Sequence, residues 1–135
     1  MKASRTAEQE RGSATMFFVV LFLGLMIAIG LVVDGGAKTT AQQETRSVAE
    51  AAARAGASAV TGSTVTGGSP LVNPQAAQAA AQSYITAAGL TGSASTSGTT
   101  VTVSVSKTTP TVFLGLIGIS SLTSQATASA EILKR

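Results

Sequence analysis

Residues 14–33 read ATMFFVVLFLGLMIAIGLVV, twenty consecutive positions without a charged side chain. An α-helix of about 20 residues crosses a hydrocarbon core roughly 30 Å thick, because it rises about 1.5 Å per residue. A helix that is apolar on every face can otherwise be buried only inside a large protein, and this chain has 135 residues. The stretch therefore predicts a single transmembrane helix.

The flanks of this apolar run predict that the helix is retained and indicate its orientation. A cleaved secretory signal has an apolar centre of about 7–15 residues followed by a small-x-small site. Here the run is longer, and Asp34-Gly35-Gly36 follows it. Positive charges near the two ends are almost balanced. We expect the short N-terminal tail in the cytoplasm and the long Ser/Thr/Gly-rich remainder outside.

Beyond the run, residues 38–60 predict a second, Ala-rich stretch of helix. Small side chains recur there with spacings of four and three, and Thr45 shares the seam that they form. Within the apolar run, Gly24 and Ala28 form a small-xxx-small pair, which is typical of a helix contact face, although glycine is also common in such helices. The predicted helix–helix assembly face comprises Gly24, Ala28, Ala41, Val48, Ala52, Ala55 and Ala59.

The remaining pattern predicts a small α+β head. Asn73 as N-cap, Pro74 and the stop at Gly89 predict a helix whose apolar face holds Ala77, Ala81, Tyr84, Ile85 and Ala88. Strict alternation over residues 99–107 and 122–132 predicts two strands, with a weaker one at 92–96. The predicted division is an N-terminal tail 1–12, a transmembrane and Ala-rich helix 13–60, a flexible linker 61–73 and a head 74–135.

The composition excludes several kinds of chemistry. The chain has no Cys and no His, which removes thiolate nucleophiles, His-metal sites and a Ser-His-Asp triad. Six acidic residues are few for a carboxylate metal cage, and a net charge of +3 without a dense basic cluster argues against nucleic-acid binding. We expect no enzyme activity, no cofactor or metal, and no small-molecule substrate.

Two features keep two interpretations each. Asp34, at the membrane edge, is either a solvated boundary residue paired with Lys38 or a contact to a positive group on a neighbouring subunit. The apolar stretch 112–119 is either local core or a docking surface. Its candidate docking patch comprises Phe113, Leu114, Leu116 and Ile117.

An ordered set of motifs around the apolar run resembles a known family. Residues 10–15 (ERGSAT) precede the run, residues 33–36 (VDGG) follow it, and residues 48–57 (VAEAAARAGA) lie in the Ala-rich helix. In this order they resemble the TadE/TadG-like proteins, minor pilin-like proteins of the Flp, or Tad, branch of type IV pili. The stretches 108–114 (TTPTVFL) and 121–128 (SLTSQATA) resemble the tails of TadG-like members.

The resemblance implies a pilin-like protein of the bacterial cytoplasmic membrane with an extracytoplasmic domain. It would serve pilus assembly or be incorporated into a surface pilus, as a homo- or hetero-oligomer with other pilin-like subunits and Tad assembly proteins. Processed pilin-like members have a Gly followed five residues later by Glu. Counted from the candidate processing site Gly12-Ser13, that position is Phe17. This departure favours the TadG-like side of the family, or an unprocessed anchor.

Two functions from different classes follow from these observations. The first is a minor pilin-like, or pseudopilin, component that associates through its N-terminal helix. The alternative is a monomeric, membrane-tethered module that binds an envelope or surface ligand through residues 112–119.

Overall fold

The computed structural model describes the backbone of residues 4–62 and 73–132, and the side chains of residues 12–59 and 73–132. Helix α1 spans Ser4–Gly62 and helix α2 spans Pro74–Ala87. Strands β1, β2 and β3 span Thr91–Ser97, Thr100–Pro110 and Ser121–Glu131, and a short 3-10 helix, Leu114–Ile117, lies between β2 and β3. The fold is α+β, as predicted.

Helix α1 begins inside the predicted N-terminal tail and continues without a break through Gly35 and Gly36. Its apolar run leaves its large side chains exposed, from 43% for Met26 to 75% for Val32. The helix is long and apolar enough to span a membrane, with a mean hydropathy of 3.0 in its most apolar part. In water such a surface would be strongly unfavourable, whereas lipid chains solvate it.

Helix α2 begins and ends where its sequence signals predict. The Asn73 side chain accepts hydrogen bonds from the backbone N–H groups of Gln75, at 3.1 Å, and Ala76, at 3.3 Å. Gly89, at φ +72°, follows the last turn. The buried face consists of Ala77, Ala81 and Ile85. Tyr84, predicted on that face, is 44% exposed, because its position lies one residue away from the narrow buried stripe.

The three strands form one antiparallel sheet in the order β1-β2-β3. A two-residue turn joins β1 to β2, with Gly98 at φ +58°. The central strand pairs Val103 with Ala94 on one side and with Ala128 on the other. The predicted strands are confirmed. The first strand, predicted at 92–96, spans Thr91–Ser97 and pairs with β2 over its whole length, from Thr91 with Ser106 to Ser97 with Thr100.

A single core of small side chains joins the Ala-rich part of α1, helix α2 and the sheet. Gly56 permits the closest approach, since a Cβ there would lie 2.9 Å from the backbone oxygen of Ala77 and 3.0 Å from Cγ1 of Val101. The fully buried valines come from one face of β2. The core members are Ala49, Ala52, Ala53, Ala77, Ala81, Ile85, Val101, Val103, Val105 and Ile132.

The described residues fall into two compact units. One contains α1 up to Gly36 together with Thr111–Ser120, and the other contains Ala37–Pro110 together with the chain from Ser121 on. The Ala-rich half of α1 is therefore part of the head unit, and the segment between β2 and β3 groups with the apolar run. The predicted linker 61–73 lies outside the described residues except at its two ends. The functional division into tail, helix, linker and head stays a prediction.

Candidate functional site at Asp34

Asp34 is the one charged residue at the end of the apolar run, and its side chain is held by its own chain. The residue is 3% exposed. Its Oδ1 accepts a hydrogen bond from the N–H of Val112 at 3.0 Å. Its Oδ2 accepts from the N–H groups of Phe113, at 3.0 Å, and Leu114, at 2.7 Å. Three consecutive backbone donors thus converge on one carboxylate.

These donors lie at the start of the 3-10 helix Leu114–Ile117. The first N–H groups of a helix have no partner within it, and a carboxylate placed there satisfies them and interacts favourably with the helix dipole. Asp34 therefore acts as the N-terminal cap of this turn, supplied from about eighty residues earlier in the chain. Hydrogen bonds to an ionised acceptor are shorter and stronger than neutral ones.

The interpretation of Asp34 as a solvated residue paired with Lys38 is corrected by this geometry. Among the residues whose side chains are described, no ion pair joins Asp34 to Lys38. The physical reason is that three fixed donors solvate a buried carboxylate better than one flexible, well-hydrated ammonium group does. The carboxylate oxygens point at this chain's own backbone, and the contact with a neighbouring subunit stays a prediction.

Gly30 lies one helical turn before Asp34, on the same face of α1, and is buried. A Cβ at Gly30 would lie 2.5 Å from Cβ of Phe113, closer than two carbon atoms approach. Phe113 therefore packs directly against the backbone of the apolar run. Sequence reasoning missed Gly30. The available signal was its spacing of four from Asp34, which places the two residues together on one face.

The segment Thr111–Ser120, called here the β2–β3 loop, contains the predicted docking patch, and the four residues of the patch differ in their exposure. Phe113 and Leu114 are half-buried, whereas Leu116 is 85% and Ile117 is 62% exposed. Val112 and Ile119 are also exposed, at 70% and 42%. The first pair of the patch is partly covered and the second pair lies on the surface, and the choice between local core and docking surface stays a prediction.

Hydrogen bonds within the β2–β3 loop join its two ends and its central turn. The Thr111 N–H donates to the Ser120 carbonyl at 3.1 Å, and the Thr111 hydroxyl donates to the carbonyl of Ile119. Gly118, at φ +91°, ends the 3-10 helix, and its N–H donates to the Gly115 carbonyl at 3.2 Å. The Ile119 N–H donates to the Leu114 carbonyl at 3.0 Å. The loop is an ordered turn with few unpaired donors.

The predicted assembly face also divides. Gly24 and Ala28 are exposed on the apolar run, and a Cβ at Gly24 would meet nothing within 4 Å. Ala41 and Ala52, at 4% and 0% exposure, are covered within the head unit, so they are not free to contact another subunit. These two positions, predicted to contact another subunit, are instead buried inside one chain. Three positions are half-buried: Val48, Ala55 and Ala59.

The charged side chains of the Ala-rich half pair with one another. Glu50 contacts Arg46 at 3.2 Å and Arg54 at 3.6 Å, and Lys107 contacts Glu44 at 2.6 Å. A shallow cleft of about 560 Å³ separates this row from strand β3. Of the charged residues that line the cleft, Glu50 is shared by Arg46 and Arg54.

The candidate processing residues Gly12 and Ser13 lie exposed within helix α1. Their processing stays a prediction, since the described geometry is that of an uninterrupted helix.

A comparison with known protein families matches the segment that contains Asp34, but not the loop that donates to it. Residues 12–59 match the family model described as putative Flp pilus-assembly TadE/G-like. The match includes Gly30, Asp34 and the core alanines of α1, and it ends before α2 and the sheet. No curated protein and no solved structure matches the chain. The family description covers both TadE and TadG, so the TadG-like assignment stays a prediction.

Proposed function

We propose, from the premise that residues 12–59 are a TadE/G-like segment, that this protein is a membrane-anchored minor pilin-like component of a Flp/Tad-type pilus system. The observation that carries the proposal is that match, which confirms the resemblance of the opening motifs. The role is in the assembly or the structure of the pilus, and it is non-catalytic.

The exposed apolar run supports anchoring in the bacterial cytoplasmic membrane. From Met16 to Val33 each large apolar side chain is at least 43% exposed, as expected when lipid is the solvent. The proposed topology is single-pass, with the N-terminus inside and the Ser/Thr-rich head outside. Cell-surface exposure follows if the protein is incorporated in the pilus.

Association with other pilin-like subunits and Tad assembly proteins is proposed through the apolar half of α1. Gly24 and Ala28 present a small, exposed strip there, and small residues let two helix backbones approach closely in a membrane. This assigns the contact to the part of the predicted face that the chain does not cover itself. The alternative, a monomeric binding module, relies on the exposed Leu116 and Ile117 as its contact.

The test begins with deletion of the protein from a bacterium that makes this pilus. Piliation should be lost or strongly reduced, and normal pili in the deletion strain would contradict the proposal. Intact mass and the N-terminal sequence, measured on membranes and on sheared surface material, then assign the role. An N-terminus at Ser13 in sheared filaments indicates a processed subunit, whereas full-length protein confined to membranes indicates an assembly factor.

A pair of variants tests the contact face. Gly24→Leu with Ala28→Leu should reduce piliation and co-purification of partner subunits, because the added bulk separates the helices. Val19→Leu is the matched control, since it adds bulk on the opposite side of α1 at about 100° per residue. Equal effects of the double variant and the control would remove this face from the proposal.

A further inference from the structure

The β2–β3 loop carries an exposed apolar surface within a stretch of sequence that has no charged residue. From Thr108 to Ala130 the chain has no Lys, Arg, Asp or Glu. Within this charge-free stretch four aliphatic side chains are exposed: Val112, Leu116, Ile117 and Ile119. An exposed aliphatic cluster of this kind marks a surface that contacts another apolar phase or molecule.

The position of the loop along α1 indicates what that environment is. Asp34 marks the end of the apolar run, but Phe113 packs against Gly30, four residues further in. Four residues of helix correspond to about 6 Å along the axis. The loop therefore reaches alongside the apolar run itself, and its exposed side chains continue the surface that the run exposes.

The hydrogen bonding of the loop fits the same environment. Irregular backbone enters the hydrocarbon region only where its polar groups are satisfied by the protein, since lipid chains offer no partners. Here Asp34 accepts three of the loop's N–H groups, and Ser120, Phe113, Gly115 and Leu114 accept others through their carbonyl oxygens. In water, solvent molecules could accept hydrogen bonds from these N–H groups, whereas in lipid the protein itself must supply the acceptors.

We propose that the β2–β3 loop is a second membrane-contacting element, which inserts Leu116 and Ile117 among the acyl chains at the outer face of the bilayer. Asp34 pins the loop to α1, and Gly30 leaves the space for Phe113 that this arrangement requires. The protein thus contacts the membrane through two elements, the spanning helix and an interfacial loop. The inference rests on the membrane anchoring in the proposed function.

Lipid is favoured over a second protein chain by continuity and by charge. The loop surface is continuous with the apolar run within one compact unit, and it carries no charge that would set the register of a protein interface. Aliphatic side chains at the end of a spanning helix partition into the acyl-chain boundary without a specific partner. Cover of the loop by a second copy of this chain is therefore the alternative, and the test below distinguishes it from contact with lipid.

The experiment uses the absence of cysteine in the full-length chain. Leu116→Cys is labelled with the fluorophore NBD and reconstituted at low protein-to-lipid ratio in vesicles of phosphatidylethanolamine and phosphatidylglycerol. Quenching is measured with doxyl groups placed on the lipid acyl chains, and with iodide present on both sides of the membrane. Val20→Cys, in the apolar run, and Ser83→Cys, exposed on α2, are the two reference positions.

The expected result is that the label at position 116 is quenched by doxyl lipid severalfold more strongly than the label at 83, and by iodide severalfold less. If 116 behaves like 83 while 20 is quenched by lipid, the loop proposal is overturned and the anchoring stands. If 20 is not quenched by lipid, the anchoring itself fails. A label at 116 that neither quencher reaches is covered by protein, which also overturns the proposal.

A further variant tests whether Asp34 holds the β2–β3 loop against α1. Asp34→Ala in the Leu116→Cys background should shift the NBD emission to the red and raise its quenching by iodide. The reason is that three N–H groups of the loop lose the carboxylate that accepts their hydrogen bonds. Unchanged emission and quenching would overturn the role of Asp34. Fluorescence of Tyr84, the single tyrosine in a chain without tryptophan, checks that the head remains folded.

Discussion

The two halves of helix α1 invert the usual relation between side-chain size and burial. In the apolar run, Phe17 and Phe18 are 64% and 65% exposed. In the Ala-rich half, Ala49 and Ala52 are completely buried. The proposed membrane anchoring accounts for the large side chains, because lipid would solvate them without protein cover. The small side chains allow α2 and the sheet to approach closely.

Polar groups in the two halves are also satisfied differently. In the head, Thr45 donates its hydroxyl to the Ala41 carbonyl of its own helix, and the Ser124 hydroxyl donates to the Lys38 carbonyl at 3.5 Å. These are neutral bonds to backbone oxygens. At the end of the apolar run, by contrast, a carboxylate collects three backbone donors. The head is therefore held by packing together with the ion pair between Lys107 and Glu44, whereas the β2–β3 loop is held by a carboxylate that binds backbone N–H groups.

The largest effect is expected when the same Ala→Leu change is made in both halves. Ala52→Leu should lower the free energy of unfolding of the head by about 1–3 kcal/mol, because the core at Ala52 has no space for a longer side chain. The measurement is a urea titration of the full-length protein in detergent, followed by Tyr84 fluorescence. Ala28→Leu, exposed on the apolar run, is the matched control and should leave that free energy unchanged. Equal losses would abolish the distinction between the halves.

A smaller effect is expected from two Gly→Ala changes. Gly56→Ala should destabilise the head by about 1 kcal/mol, since overpacking against Ala77 and Val101 exceeds the gain in helix propensity. Gly36→Ala meets nothing within 4 Å and should be neutral or stabilising by up to about 1 kcal/mol. The same titration measures both. A stabilising Gly56→Ala would show that the two helices can separate at no cost.

The elements of this fold were predictable where the signal is local. The apolar run, the Asn73 cap and the Val101-Val103-Val105 alternation each specify an element through neighbouring residues, and the structure has all three. The Ala seam was recognised by its spacing. Its partner was assigned to another subunit, because periodicity shows that a face is covered but not by which chain.

The Asp34 site was not predictable in the same way. Its donors are backbone N–H groups of Val112, Phe113 and Leu114, and a backbone group has no signature in the sequence. The sequence therefore offered only side-chain partners, Lys38 or a positive group on a neighbouring subunit. Only the charge-free character of the loop and the Gly30–Asp34 spacing pointed to the contact, and neither specifies it alone.

The smallest effect on the head, and the most local one, is expected from Asp34→Asn. An amide keeps the shape of the carboxylate but has one acceptor oxygen and an NH2 group that faces the loop donors. Hydrogen exchange at Val112, Phe113 and Leu114 should accelerate on the order of tenfold, as expected for local opening. Mass spectrometry of the full-length protein in lipid nanodiscs measures this, while the urea titration of the head should be unchanged.

Lys38→Met separates the two possible partners of Asp34. If the carboxylate is held by the loop, removing the Lys38 charge should leave exchange at residues 112–114 as in the unaltered protein, because no described ion pair joins the two side chains. Faster exchange in Lys38→Met, with little change in Asp34→Asn, would restore the pair expected from the sequence. Faster exchange in Asp34→Asn alone means that one carboxylate in the apolar half of α1 positions the β2–β3 loop through its backbone N–H groups.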